Sequence, residues 1–126
     1  MAKLKHVGLT VNKDDIQDFY IDILGFRAEG EFQLNHELSE SIFNIKNDIE
    51  VRYLENNEVT LELFIYPNSD THHSFQHLCF QMENCEEIYE KALEKKYWSF
   101  RRTNSKNQST YFIKDNMNNL FELKNI

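Results

Sequence analysis

Hydrophobic and polar residues follow two periodicities along this chain. Eight segments combine alternation with the β-branched and aromatic residues typical of strands. They are Leu4–Val11, Arg27–Leu34, Ile49–Leu54, Val59–Tyr66, Phe75–Met82, Trp98–Thr103, Ser109–Ile113 and Leu120–Lys124. Two further regions place apolar residues at helical spacing. These stripes are Ile16, Phe19, Tyr20 and Ile23, and then Ile88, Tyr89, Ala92 and Leu93. The segment Asn35–Asn47 predicts a short helix or a structured loop.

The order of these elements repeats. Each half reads strand, helix, strand, strand, strand, which predicts an α+β fold of two βαβββ modules. Module one covers residues 1–67, module two covers 74–126, and residues 68–73 link them within a single domain. Gly25 stands where a helix C-cap is expected, and Asn84 where an N-cap is expected.

Charge and composition narrow the class of partner. The chain has 126 residues and a formal net charge of −7, which disfavours nucleic acid and anionic membranes as partners. Its two cysteines make no disulfide framework. No apolar run reaches the roughly 20 residues of a membrane helix, and the start lacks the apolar stretch of a signal peptide. We therefore expect a cytoplasmic protein that binds a small-molecule substrate, with no nucleic acid and no membrane.

Four polar residues occupy the predicted strands at equivalent places in the two modules. Each module contributes one histidine from its first strand and one glutamate from its last strand. The four are His6, Glu62, His77 and Glu122. A single His or Glu in a strand commonly lies on the solvent face. The same residue types at equivalent positions of two copies instead indicate a shared role.

Two imidazoles and two carboxylates form a suitable ligand set for a divalent first-row metal ion. If the four side chains converge on one face of a curved sheet, an octahedral ion keeps two positions for water or substrate. An open position is typical of a catalytic rather than a structural metal site. Such an ion can polarise a carbonyl oxygen, and a carboxylate that leaves it can act as a general base.

Several segments resemble the vicinal oxygen chelate superfamily, which includes glyoxalase I, bleomycin-resistance proteins and extradiol dioxygenases. The resembling segments are Leu4–Val11, Asp18–Tyr20 through Leu24–Phe26, Thr60–Leu63, His77–Phe80, and Tyr111–Asp115 through Asn119–Leu123. The resemblance implies two βαβββ modules that form an open, barrel-like cleft around a metal. It also implies that His6, Glu62, His77 and Glu122 are the ligands of that metal.

Within the superfamily, this ligand set is most similar to that of bacterial glyoxalase I, a lactoylglutathione lyase. The implied reaction isomerises the hemithioacetal of a thiol and a 2-oxoaldehyde through an enediolate, with Glu62 and Glu122 as the catalytic bases. The implied cofactor is one divalent ion (Ni, Zn, Mn, Co or Fe), and relatives often form homodimers. This chain has Thr10 where bacterial glyoxalase I has an arginine that holds the glutathione carboxylate.

Two alternatives within the same fold stay open. An extradiol-type dioxygenase on iron needs two histidines and one glutamate, and Glu62 would then block a position that those enzymes leave open. A non-enzymatic antibiotic-binding protein, as in bleomycin resistance, generally lacks the full ligand set.

Other polar residues of the sequence are weaker candidates for a functional role than these four. His72 and His73 are expected to be solvated linker residues rather than a second metal site. Cys79 shares a strand face with His77 and is expected to be a small buried hydrophobe. Arg52 is expected either in a surface ion pair or as a ligand of an anionic substrate group.

Overall fold

Each half of the chain folds around its own four-stranded mixed sheet. The computed structural model describes residues 1–67 and 74–126, so the predicted linker 68–73, with His72 and His73, lies outside the described residues. Contacts divide the chain into two units, Met1–Pro67 and Asn68–Ile126. No helix in the described ranges is long and apolar enough to cross a membrane.

The first unit contains four strands and two helical regions. In chain order these are β1 (Val7–Val11), α1 (Lys13–Asp15), which continues as a π-helix (Ile16–Ile21), β2 (Arg27–Leu34), α2 (His36–Phe43), β3 (Ile49–Asn56) and β4 (Val59–Ile65). The sheet order is β1-β4-β3-β2. β1 runs parallel to β4, and the remaining pairs are antiparallel.

The second unit repeats this topology. It contains β5 (Leu78–Met82), α3 (Cys85–Glu94), β6 (Ser99–Thr103), β7 (Ser109–Lys114) and β8 (Leu120–Asn125). Its sheet order is β5-β8-β7-β6, and β5 runs parallel to β8 as β1 does to β4. The predicted α+β fold with two βαβββ modules is confirmed.

The helix after β1 departs from the regular α-helix that its apolar stripe predicts. Its backbone makes i→i−5 hydrogen bonds, as from Leu24 N to Phe19 O at 3.0 Å, which define a π-helix. Phe19 and Tyr20 are nevertheless fully buried, as the stripe requires. The C-cap of the π-helix is Asp22, three residues before the predicted position; Gly25, with a φ of 76°, takes the left-handed conformation at the end of the turn that follows.

The segment of uncertain structure in the first half contains a helix. The side chain of Asn35 accepts a hydrogen bond from Leu38 N at 2.9 Å and so caps the start of α2. Asn44, with φ 58°, ends it. Asp48 Oδ1 also accepts hydrogen bonds from the backbone N of His36 at 2.7 Å and from its ring Nδ1 at 3.1 Å. The described part of the second unit has no counterpart of α2.

Two predictions of local structure are corrected, and one is confirmed. β1 and β5 begin later than predicted, so His6 and His77 each directly precede a strand instead of lying within it. Asn84 is the N-cap residue of α3 as predicted, with a φ of 58° and no capping hydrogen bond from its side chain. Leu93 is half-exposed, because α3 buries Cys85 together with Ile88 and Ala92.

Candidate metal-binding site

Strand pairing brings His6 to Glu62 in the first unit. Gly8 in β1 lies opposite Glu62 in β4. Because side chains alternate along a strand, His6, two residues before Gly8, lies on the same face as Glu62. His6 Nε2 is 3.0 Å from Glu62 Oε2. Glu62 is 7% exposed and is therefore buried. Its neighbours Leu61 and Leu63 are fully buried on the opposite face of the sheet.

The same pairing brings His77 to Glu122 in the second unit. Cys79 in β5 lies opposite Glu122 in β8, and His77 precedes Cys79 by two residues. His77 Nε2 is 3.2 Å from Glu122 Oε1. The duplicated topology therefore places one histidine against one glutamate twice, by the same pairing of parallel strands.

The hydrogen bond of His77 fixes which ring nitrogen can act as a ligand. Its Nδ1 lies 2.8 Å from the carbonyl oxygen of Phe75. A carbonyl only accepts, so Nδ1–H donates to it, and Nε2 carries the lone pair in the neutral ring. This lone pair faces the carboxylate of Glu122, which also only accepts. Two facing acceptors need a proton or a cation between them, and a backbone partner on the other nitrogen is typical of metal-ligating histidine.

The nitrogen–oxygen distances also suit a shared ion. Histidine nitrogens and carboxylate oxygens bind first-row divalent ions at about 2.0–2.2 Å. Two ligands at right angles around such an ion are then about 3 Å apart, a geometric consequence of those bond lengths. The observed distances are 3.0 Å for His6–Glu62 and 3.2 Å for His77–Glu122. Each pair therefore fits two adjacent ligands of one ion.

Each pair supplies only two ligands. Within either unit taken alone, the described residues bring no third His, Cys, Asp or Glu that could complete a metal site. The four side chains lie on two sheets, one pair on each, rather than on the single curved sheet of the sequence prediction. That all four residues bind one ion stays a prediction.

The two glutamates differ in their neighbours. Tyr53 in β3 lies opposite Glu62. The negative charge of Glu62, partial desolvation and a hydrogen bond with Glu62 together raise the pKa of the Tyr53 hydroxyl. Phe112 takes the corresponding place opposite Glu122 and has no hydroxyl. Glu122 instead has Lys124 Nζ 3.5 Å from its Oε2.

Aromatic rings continue from these positions across each sheet. In the first unit the Phe32 and Tyr53 rings are 5.6 Å apart. In the second, Phe112 contacts Phe100 at 6.1 Å, and Phe100 stacks on Trp98 at 6.4 Å. Each glutamate therefore lies at the end of a row of aromatic side chains.

Neither Cys79 nor Arg52 belongs to the two histidine–glutamate pairs. Cys79 is exposed, so the expectation of a buried hydrophobe is wrong. Its side chain lies on the same face as Glu122, because the two residues are paired across β5 and β8. Arg52 lies on the face opposite Glu62 and pairs with Glu31 at 3.1 Å and with Glu50, which agrees with the ion-pair interpretation.

Sequence reasoning missed Tyr53. In the structure the two residues Asn57 and Glu58 join β3 to β4, and this connection sets Asn56 opposite Val59. Counting outwards from that pair places Tyr53 opposite Glu62. Register arithmetic of this kind identifies partners across a hairpin, but not across the parallel pairs, where a long connection intervenes.

Comparison with known proteins adds a family match over most of the chain. The model of the "Glyoxalase/Bleomycin resistance protein/Dioxygenase superfamily" matches residues 3–123. No curated protein sequence is significantly similar to the chain.

Solved structures share the fold at low sequence identity. A glyoxalase family protein from Enterococcus faecalis is 21% identical, with a TM-score of 0.67 over 96% of this chain and 95% of that one. The fosfomycin resistance protein FosX from Listeria monocytogenes is 15% identical, with a TM-score of 0.74 over 100% and 94%. A FosX mutant in complex with Mn(II) and dihydroxypropylphosphonic acid is 14% identical, with a TM-score of 0.72 over 98% and 90%.

Proposed function

The chain belongs to the glyoxalase/bleomycin resistance/dioxygenase superfamily, and from this we propose that it is a metal-dependent, glyoxalase-like lyase or isomerase. The observation that carries the proposal is the duplicated histidine–glutamate pair. His6, Glu62, His77 and Glu122 would hold one divalent ion. The Mn(II) in the FosX complex supports a divalent ion in this fold.

The substrate class is a small oxygen-chelating molecule such as a 2-oxoaldehyde–thiol hemithioacetal. The bound ion supplies Lewis acidity toward a substrate oxygen. Glu62 and Glu122 are the groups that take up and return a proton, moving it from one carbon to its neighbour. The reaction is an isomerisation, so no other reactant is consumed.

The carboxylates of Glu62 and Glu122 differ in how freely they can move. Glu62 is buried and has Tyr53 opposite it on β3, which leaves that carboxylate little room to move. Glu122 is more exposed, and its charged neighbour Lys124 is long and flexible. We therefore assign Glu122 the larger movement during proton transfer and Glu62 the role of the fixed partner.

The proposal extends to assembly and location. About half of the surfaces of Trp98 and Phe100 is exposed, at 50% and 51%, and this apolar surface would be covered in a homodimer. The two free cysteines, Cys79 and Cys85, suit the reducing cytoplasm. Light scattering over a concentration series tests the dimer, for which we expect twice the chain mass.

Metal stoichiometry tests the four-residue site most directly. Metal-free protein is titrated with Ni, Zn, Mn, Co and Fe(II) ions by calorimetry. We expect one ion per chain, with at least tenfold weaker binding in both His6→Ala and His77→Ala. Glu58→Gln, in the β3–β4 turn, is the matched control and should bind as wild type. Two ions per chain, or loss in one histidine variant only, would show that the pairs act separately.

Activity then distinguishes the members of the superfamily. The loaded protein is assayed with methylglyoxal and phenylglyoxal in the presence of several thiols, with catechols under oxygen, and with fosfomycin. We expect the loaded protein to isomerise the oxoaldehyde–thiol adducts, and we expect a chelator to abolish this activity. Metal binding combined with oxygen uptake on catechols, or with fosfomycin consumption alone, would replace this proposal by the corresponding one.

A further inference from the structure

A pocket of about 250 Å³ lies in the first unit beside α2. Its wall includes Gly8, Thr10, Ser39, Phe43, Phe64 and Tyr66, and none of the described residues that line it is charged. The rings of Phe43 and Phe64 meet edge to face at 5.3 Å. Gly8 and Thr10 are exposed, so the pocket is open to solvent on the β1 side.

The pocket adjoins the candidate metal site. Gly8 lies opposite Glu62, and Phe64 follows Glu62 by two residues on the same face of β4. Two residues along a strand span about 6.8 Å. A substrate whose oxygen atoms lie at His6 and Glu62 can therefore place a substituent of one ring or a branched chain between Phe64 and α2.

Ser39 contributes a polar hydroxyl group to the wall of this pocket. The residue is 1% exposed, and its Oγ finds no hydrogen-bond partner among the residues that the structure describes. Its backbone N donates to Asn35 O, as in any helix. A buried hydroxyl without a partner is unfavourable and uncommon in native proteins. A ligand atom in the pocket would supply the missing partner.

We propose that this pocket is the specificity subsite for an uncharged aromatic or branched aliphatic substituent that carries one hydroxyl or carbonyl, hydrogen-bonded to Ser39. This assignment rests on the proposed function for the substrate's reacting end. A carboxylate or phosphonate finds no cationic partner among the lining residues, and burying such a group unpaired is unfavourable. The charged end of any substrate must therefore lie elsewhere.

The first test uses binding alone and needs neither metal nor turnover. Phenol, toluene and benzoate are titrated into metal-free protein and followed by NMR on the ring signals of Phe43 and Phe64. Phenol should bind about five- to tenfold more tightly than toluene, the effect of one net hydrogen bond, and benzoate should bind least. Ser39→Ala should remove the preference, so that phenol binds no more tightly than toluene, without weakening toluene. Ser41→Ala, on the exposed side of α2, should behave as wild type.

Several outcomes overturn the assignment. Equal binding of phenol and toluene by wild type, the same preference in Ser39→Ala, or tighter binding of benzoate would each contradict it. Circular dichroism of Ser39→Ala shows whether the fold is kept; because that change removes an unpartnered hydroxyl, no loss of stability is expected. Chemical-shift changes away from Phe43 and Phe64 would also place the probes outside this pocket.

The second test separates this inference from the proposed function. With loaded enzyme, kcat/KM for the adduct of 4-hydroxyphenylglyoxal should exceed that of methylglyoxal, and Ser39→Ala should reduce the ratio about fivefold. If the protein bound phenol selectively but bound no metal ion, the enzymatic proposal would be overturned and the assignment of the pocket would be kept. Turnover with no preference among substituents would keep the enzyme and overturn the subsite.

Discussion

Tyr53 and Glu62 stand opposite each other on β3 and β4, and the Glu62 carboxylate raises the pKa of the Tyr53 hydroxyl. The corresponding pair in the second unit is Phe112 and Glu122, where the ring carries no hydroxyl. The duplicated modules therefore present two glutamates of the same type in different surroundings. This difference is the structural basis for assigning them different roles.

Tyr53→Phe removes only the hydroxyl that faces Glu62. We expect kcat/KM to fall about tenfold, because a hydrogen bond to a charged group contributes about 1.5 kcal/mol or more. The effect should disappear in the Glu62→Gln background, where the charged acceptor is gone. An equal loss from Tyr53→Phe in both backgrounds would contradict an effect that acts through Glu62.

The raised pKa of Tyr53 makes a separate prediction for metal-free protein. The Glu62 carboxylate disfavours the tyrosinate, so Glu62→Gln should move the Tyr53 pKa back toward about 10. NMR of protein with labelled tyrosine side chains follows this one ring. The stability linked to Tyr53 is fully present below the unfolded-state pKa near 10, and it is lost as the pH rises through the folded-state pKa. A Tyr53 pKa that Glu62→Gln leaves in place would refute the electrostatic cause.

The sequence predicts much of the sheet framework because burial on one face forces alternation. Arg27–Leu34 is a strand with its predicted limits, and Gly25 has the positive φ for which a glycine is suited in the turn before it. Periodicity could not predict the π-helix Ile16–Ile21, because its apolar residues satisfy an α-helical pattern equally well. Nor could it place the first residues of β1 and β5, because a strand begins where its pairing begins, at Val7 with Leu61 and at Leu78 with Phe121.

The pairing of histidine with glutamate could be expected from the duplication, but its surroundings could not. Parallel pairing brings together residues distant in sequence, so only the fold shows that Gly8 faces Glu62 and Cys79 faces Glu122. Ser39 gave no signal in the sequence at all. A serine within a short amphipathic helix is ordinarily solvated, and its burial depends on how α2 lies on the sheet.

Cys79 reports the charge of Glu122. Desolvation and the Glu122 carboxylate raise the pKa of the Cys79 thiol, while Lys124 lowers it. Because the thiolate is the nucleophile, Glu122→Gln should speed alkylation by iodoacetamide at pH 8 several-fold, and Lys124→Gln should slow it. Mass spectrometry separates Cys79 from the buried Cys85. Equal rates in both variants would mean that neither charge reaches the thiol.

Gly8 and Gly30 form a matched pair for testing the wall of the pocket. A Cβ on Gly8 would stand 3.1 Å from Cε1 of Phe64, whereas nothing lies within 4 Å of one on Gly30. Gly8→Ala should therefore displace the Phe64 ring, destabilise the protein by about 1–3 kcal/mol and weaken phenol binding. Gly30→Ala should be neutral or stabilising by up to about 1 kcal/mol, since it restricts the unfolded chain. Urea unfolding and the phenol titration measure both variants, and similar effects from the two would argue against the Phe64 contact.

Asp48 makes the attachment of α2 sensitive to acid. Hydrogen bonds from the backbone and the ring of His36 lower the pKa of the Asp48 carboxyl. A lowered folded-state pKa contributes stability that is present above the unfolded-state value of about 3.9, and that is lost as the pH falls through the folded-state pKa. The difference in urea midpoint between wild type and Asp48→Asn should therefore be constant from pH 5 to 7 and shrink below pH 4. His36→Ala, which keeps the backbone donor and removes the ring, should show a smaller dependence of the same sign. If the difference in urea midpoint grew as the pH fell, the folded state would disfavour the charged Asp48 carboxylate. The hydrogen bonds from His36 to Asp48 would then not stabilise the start of α2.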